Sequence, residues 1–129
     1  PSVRAYSVHP DDIDATVAGA RERGYDPGDV WDLSRRTPSG DLLEWRLTGG
    51  AARLDVPFLI DWGATEQPGL GDIPTLELIS FVRVEPDPAP LREVLEALGL
   101  GDGTAEVVAG DAPGYRLELR RPDGELVSL

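Results

Sequence analysis

The stretch Val56-Pro57-Phe58-Leu59-Ile60-Asp61-Trp62-Gly63 has the clearest period of two in the chain. Val56, Phe58, Ile60 and Trp62 alternate with Pro57, Leu59 and Asp61, so one face is continuously apolar and the segment reads as a strand. Pro57 has no N–H to give to a ladder, which places it at a strand start or an edge. Asp61 and Trp62 fall at the strand end, before Gly63 and a Pro/Gly-rich loop, where binding groups tend to collect.

The same alternation predicts a first strand over Ser2 to Val8. A helix follows, capped by Asp11 or Asp12, with Ile13, Val17 and Ala20 on its apolar face and Gly24 as its stop. A loop from Tyr25 runs into a strand around Val30 to Leu33. Arg35-Arg36-Thr37 leads to the turn Pro38-Ser39-Gly40-Asp41, and Leu42 to Thr48 is the next strand. There Leu43, Trp45 and Leu47 lie on one face, Leu42, Glu44 and Arg46 on the other. Gly49-Gly50 breaks that strand, and the central strand follows, then a loop from Ala64 to Pro74.

The pattern then begins again. Leu76 to Val84 reads as a strand and Asp87 caps a second helix, with Pro88 at its first position. Leu91, Val94, Leu95 and Leu98 form a helical stripe, stopped by Gly99 and Gly101. Short strands follow at Ala105 to Ala109 and Tyr115 to Arg120, and the turn Pro122-Asp123-Gly124 leads into Glu125 to Leu129. Val8-His9-Pro10-Asp11 parallels Val84-Glu85-Pro86-Asp87, and Pro38-Ser39-Gly40 parallels Pro122-Asp123-Gly124. The offset of roughly eighty residues indicates duplication of one large unit rather than a short-period solenoid. The expectation is an α+β fold of two tandem βαβββ units, with curved mixed sheets and one helix packed on each. Residues 1–63 form the first unit with a connecting strand, residues 64–129 the second, and both make one domain. The other face of each sheet packs on the duplicate or forms a cleft.

Composition narrows the function classes. A net charge of −12, from 24 acidic and 12 basic residues, opposes nucleic-acid binding and attraction to anionic membranes. No apolar run is long enough to span a bilayer. With no cysteine there is no disulfide, thiolate nucleophile or zinc–thiolate site. Every basic residue apart from His9 is Arg, which excludes a Schiff-base lysine. The chain starts at Pro1 and contains no Met, so a missing N-terminal portion is expected, and a targeting signal could lie there. A cytoplasmic location is the working expectation.

The duplicated unit and the run Ser34-Arg35-Arg36-Thr37-Pro38-Ser39-Gly40-Asp41-Leu42-Leu43-Glu44-Trp45-Arg46-Leu47-Thr48, followed by Val56 to Gly63, carry a resemblance. The chain resembles the glyoxalase-like domain proteins of bacteria, within the vicinal-oxygen-chelate superfamily of glyoxalases and extradiol dioxygenases. Metal enzymes of that superfamily take a His or Gln from the first strand of each unit. They take a Glu from the last strand, after the Pro-x-Gly turn. The resemblance puts these positions at Ala5 and Glu44 in the first unit, and near Ile79 and Ser128 in the second. Only Glu44 is a metal-binding type, so it implies no complete metal site and no cofactor. Relatives often carry a His near the position of Gln67, and here the match departs.

Bland readings account for several candidates. His9, the only histidine, suits a surface position, and no elbow motif supports a triad through it. Gly69-Leu70-Gly71-Asp72 and Gly99-Leu100-Gly101-Asp102-Gly103 are turns or helix stops, lacking the Lys and strand–loop–helix order of a phosphate loop. Asp11-Asp12 and Asp29/Asp32 lack calcium-loop spacing. Glu44 and Arg46 fit a solvated face or a cross-strand ion pair, and Trp45, Phe58 and Trp62 fit a core. The functional reading is a small-molecule cleft lined by Arg46, Asp61 and Trp62, with Arg36 at its rim and Arg46 and Arg36 gripping a carboxylate. Glu44 is then the candidate catalytic base, its carboxyl raised by burial. The domain would be a lyase, isomerase or oxygenase relative with an incomplete metal site. The alternative is a non-catalytic module that pairs with itself, as a homodimer, or with a partner through exposed sheet. An acidic mimic of nucleic acid is a third and weaker reading.

Overall fold

The computed structural model describes residues 1–49, 53–101 and 103–129. The first unit comprises β1 (Ser7–Val8), α1 (Ile13–Glu22), β2 (Val30–Arg36), β3 (Leu42–Thr48) and β4 (Phe58–Asp61). A 3₁₀ turn at Pro68–Leu70 leads to the second: β5 (Glu77–Glu85), α2 (Ala89–Ala97), β6 (Glu106–Ala109), β7 (Gly114–Arg120) and β8 (Leu126–Ser128). Each unit is a helix with a four-stranded mixed sheet, the α+β tandem βαβββ arrangement that the repeat implies.

The helices start differently and stop alike. Asp12 caps α1, its carboxylate accepting from Ala15 N at 2.9 Å. Asp87 accepts from Ala89 N at 3.3 Å, and Pro88 sits at the cap position of α2, one residue earlier than its expected place in the first turn. Gly24 takes φ 93°, which allows Tyr25 N to reach back to Ala20 O at 2.9 Å; Leu100 N bonds Leu95 O at 2.8 Å in the same way. Tyr25 and Leu100 then lie against one shared core of Ile13, Val17, Ala20, Val56, Leu59, Leu91, Leu95, Leu98 and Val107. Both helices feed this core, so the units are joined through it. Arg23 Nε adds a bond to Ala97 O at 2.8 Å.

The strand orders differ between units: β1-β4-β3-β2 in the first, β6-β5-β7-β8 in the second. The two Pro-x-Gly turns therefore occupy different places. Pro38-Ser39-Gly40 precedes β3, the third strand of its unit, whereas Pro122-Asp123-Gly124 precedes β8, the fourth. Glu44 thus lies on a third strand, not the last strand to which the resemblance assigned it.

Several boundaries move from their expected positions. The first strand is only Ser7–Val8, paired in parallel with Phe58-Leu59. Its neighbour begins after Pro57, which has no N–H, so residues before Tyr6 have no ladder to join; Tyr6 O accepts from Phe58 N at 3.3 Å. Conversely, β2 runs on to Arg36, paired with Leu42. Gly40 at φ 95° makes the intervening turn tight enough for the ladder to reach it. Gly49 ends β3, while Gly50 lies outside the described residues, as does Asp102 of the second helix stop.

Within β4, burial runs against the apolar pattern. Leu59 is 0% exposed in the core beside α1, whereas Phe58 is 40% exposed. The partner of Leu59 is Thr48, whose hydroxyl accepts from Leu59 N at 3.0 Å. The helix therefore covers the sheet face that carries Leu59, Thr48 and Arg46, and leaves the more apolar face uncovered.

At the junction of the units, Tyr6 packs edge-on to Phe81 with ring centroids 4.9 Å apart, and Phe81 stacks on Tyr115 at 5.5 Å. The Arg83 guanidinium lies 4.6 Å from the Tyr115 ring centre and pairs with Glu85 at 2.6 Å, both side chains largely buried. The Tyr115 hydroxyl donates to Leu54 O. Burial, reinforced by Tyr115, pushes the Tyr6 phenol up to about 12.

Candidate functional site

Strand alternation and register assign every side chain of the first sheet to a face. Arg46 pairs with Asp32 across β2 and with Asp61 across β4, so these three share the helix side. Glu44, Ser34 and Arg36 follow at the same parity. Leu33 pairs with Trp45 and Arg35 with Leu43, which puts Leu33, Arg35, Leu43 and Trp45 on the opposite face with Phe58 and Ile60.

The helix side is closed by charge. Arg46 grips Asp14 of α1 with both terminal nitrogens, at 2.8 and 3.0 Å, and donates Nε to Asp32 at 3.0 Å. The hydrogen bond from Arg46 holds the Asp14 carboxyl below its usual range, and Asp14 in turn raises Arg46. With its fork filled by two aspartates of its own chain, Arg46 has no face left for a ligand carboxylate. Arg36 donates one N–H to Gly40 O at 3.1 Å within its own hairpin. Asp61 accepts from Gly63 N at 2.8 Å and lies 3.6 Å from His9 Nε2, so it shapes the turn after β4. Exposed His9 fits the surface position read for it. Glu44 is exposed as well, without the burial that its role as a base presumed.

The open side is aromatic. Trp45 and Trp62 lie 5.6 Å apart between ring centres, tilted by 41° and half-buried. They line a depression of about 380 Å³ with Leu33 and Thr65. A second depression of about 690 Å³, bordered by Arg35, Thr37, Leu43 and Gln67, adjoins it and shares Glu44, Ala64 and Thr65 as common wall. The loop after β4 is tied to this wall, because Thr65 Oγ1 accepts from Glu44 N at 3.1 Å. Together they form one trough along the end of the first sheet.

Of the residues nominated from the sequence, Glu44, Arg46, Asp61 and Trp62 all border the first depression. Alternation brings only Trp62 to its aromatic side. The other three, with Asp32, belong by alternation to the helix side although they lie on or beside the inner strands, so the depression takes residues of both faces; Arg36 does not border it. Leu33, Arg35 and Thr65 were missed. The signal for the first two was the parity of Trp31, Leu33 and Arg35 in a strand that the sequence reading ended at Leu33. Thr65 had no local signal.

Among the described residues, no three His, Cys, Asp or Glu side chains come together to hold a metal ion. The donor set at Glu44 does not fit the metal centre of the superfamily's enzymes: its neighbours are Trp45, the occupied Arg46 and Thr65.

A family model for the glyoxalase-like domain matches residues 1–99, which span the first unit, β5 and α2. The chain therefore belongs to the glyoxalase-like domain family, part of the vicinal-oxygen-chelate superfamily. No curated protein and no solved structure matches it. Among the described residues, no helix is long and apolar enough to cross a membrane.

Proposed function

We propose that this domain binds a small molecule in the trough on the uncovered side of its first sheet. The observation that carries the reading is the half-buried Trp45–Trp62 pair beside a concavity of about 380 Å³, on the sheet face opposite α1. The glyoxalase-like family membership supports a small-molecule-binding fold. On this reading the protein is a cytoplasmic relative of lyases, isomerases and oxygenases with an incomplete metal site. A thermal-shift screen of small metabolites tests it, run on the wild type and on Trp62→Leu. Compounds that raise the melting temperature of the wild type should lose that effect in the variant; equal stabilisation of both proteins would contradict the site. If such a ligand is turned over, Glu44 on the common wall is the candidate base. Full turnover by Glu44→Gln would remove that role.

A second reading has its own observation. Trp31, Leu33 and Phe58 are 59%, 40% and 40% exposed on the same face. Such a cluster also suits a homodimer interface. Sedimentation separates the two: a monomer at micromolar concentration favours the ligand site, and a dimer disrupted by Trp31→Ser favours the interface.

A further inference from the structure

The proposed site leaves open which molecule the trough takes, and Arg35 bears on that question. Six other arginines are held by carboxylates of the chain: Arg21, Arg46, Arg53, Arg83, Arg120 and Arg121. Arg35 has no ion-pair partner among the described residues. Five more arginines lack a carboxylate partner there, and three of these, Arg23, Arg36 and Arg92, donate to backbone carbonyls; among the six, Arg35 is the one that borders the trough. It is also well placed: it pairs with Leu43 across the β2–β3 hairpin, two residues from the Leu33–Trp45 pair and on the same face. Diagonal neighbours on a sheet lie about 7–8 Å apart, within reach of a long side chain. Arg35 borders the larger depression, and the tryptophan pair lines the smaller one that opens into it.

The geometry points to a planar aromatic carboxylate as the ligand class, and this rests on the trough being the binding site. The ring would lie against Trp45 and Trp62, and the carboxylate would take the two-pronged hydrogen bond of Arg35. Thr65 adds a donor: its oxygen already accepts from Glu44 N, leaving the hydroxyl hydrogen for an acceptor in the trough. The expected anchors Arg36 and Arg46 do not serve, since both lie on the helix side and Arg46 is already held by Asp14 and Asp32. Carboxylate recognition thus passes to Arg35, next to one of the arginines first expected to provide it.

Calorimetric titration with naphthalene-2-carboxylate and its neutral amide tests this. The acid should bind about tenfold or more tightly than the amide, as expected for a hydrogen bond to a charged group. That preference should vanish in Arg35→Gln, persist in Arg36→Gln and weaken with salt. Both arginines are exposed, so neither variant threatens the fold. Equal binding of acid and amide, abolished by Trp62→Leu, would overturn the Arg35 anchor and leave the trough standing. A preference that survives Arg35→Gln would overturn it too. Absence of binding by either probe would overturn the ligand class, while the metabolite screen against Trp62→Leu decides the trough itself.

Discussion

The two faces of the first sheet divide polarity and burial in opposite ways. The helix side carries Asp32, Ser34, Arg36, Glu44, Arg46 and Asp61, yet it holds the fully buried Leu59 and the buried Thr48. The open side carries Leu33, Trp45, Leu47, Phe58 and Ile60, yet none of these is fully buried. A narrow helix stripe of Ile13, Val17 and Ala20 needs only a narrow apolar footing, and one leucine beside one threonine supplies it. The ion pair of Arg46 with Asp14 ties the polar part of that face to α1. The broad apolar face is then left uncovered, which suits a binding surface better than a core.

This contrast predicts a steep gradient of mutational effects. Leu59→Ala, on the polar-looking face, should be the most damaging single change, costing about 2–5 kcal/mol in denaturant unfolding. A loss no larger than that of Phe58→Ala would mean that the faces are assigned the wrong way round. Thr48→Val keeps the shape but strips Leu59 N of its buried acceptor. It should cost about 1–3 kcal/mol, and amide exchange at Leu59 should speed up.

Smaller effects should come from charge. Asp14, Asp26 and Asp55 are held below the usual carboxyl range chiefly by Arg46, Arg21 and Arg53. Depressed carboxyl values give stability that is present above the unfolded value of about 3.9 and is lost as pH falls through the folded values. Unfolding midpoints should therefore drop below about pH 4, and Arg46→Gln should remove only the Asp14 share of that drop. Its effect at neutral pH should be slight and should fade in high salt, because the pair is exposed. At the alkaline end, Tyr6 is raised to about 12, so its contribution holds below about pH 10 and is lost as pH rises through 12. Smallest of all, Trp31→Ser on the open face should change stability by no more than about 0.5 kcal/mol.

Much of this fold was legible from local chemistry. Asp12, Gly24 and the Leu91–Leu95–Leu98 stripe set the helices through capping and periodicity, and Gly40 set the hairpin. These features depend on neighbours within a few residues. Strand order was not legible, since the same succession of elements closes as β1-β4-β3-β2 in one unit and β6-β5-β7-β8 in the other. Nor was the covered face, because an alternating strand states which residues share a side but not which side meets the helix. That ambiguity misplaced Arg46. Its attraction to a carboxylate was read correctly, but the carboxylates were Asp14, on a helix 32 positions away, and Asp32. Arg35 escaped notice because the end of β2 depends on its hairpin partner.

The central claim is that ligand recognition belongs to the uncovered aromatic side. The most direct test is a ¹⁵N–¹H spectrum of the protein titrated with naphthalene-2-carboxylate. The side-chain signals of Trp45, Trp62 and Arg35 should move together and saturate with one affinity, while those of Arg46 on the helix side stay in place. Shifts centred on Arg46 and the Asp14 amide, with both indoles unmoved, would contradict the account.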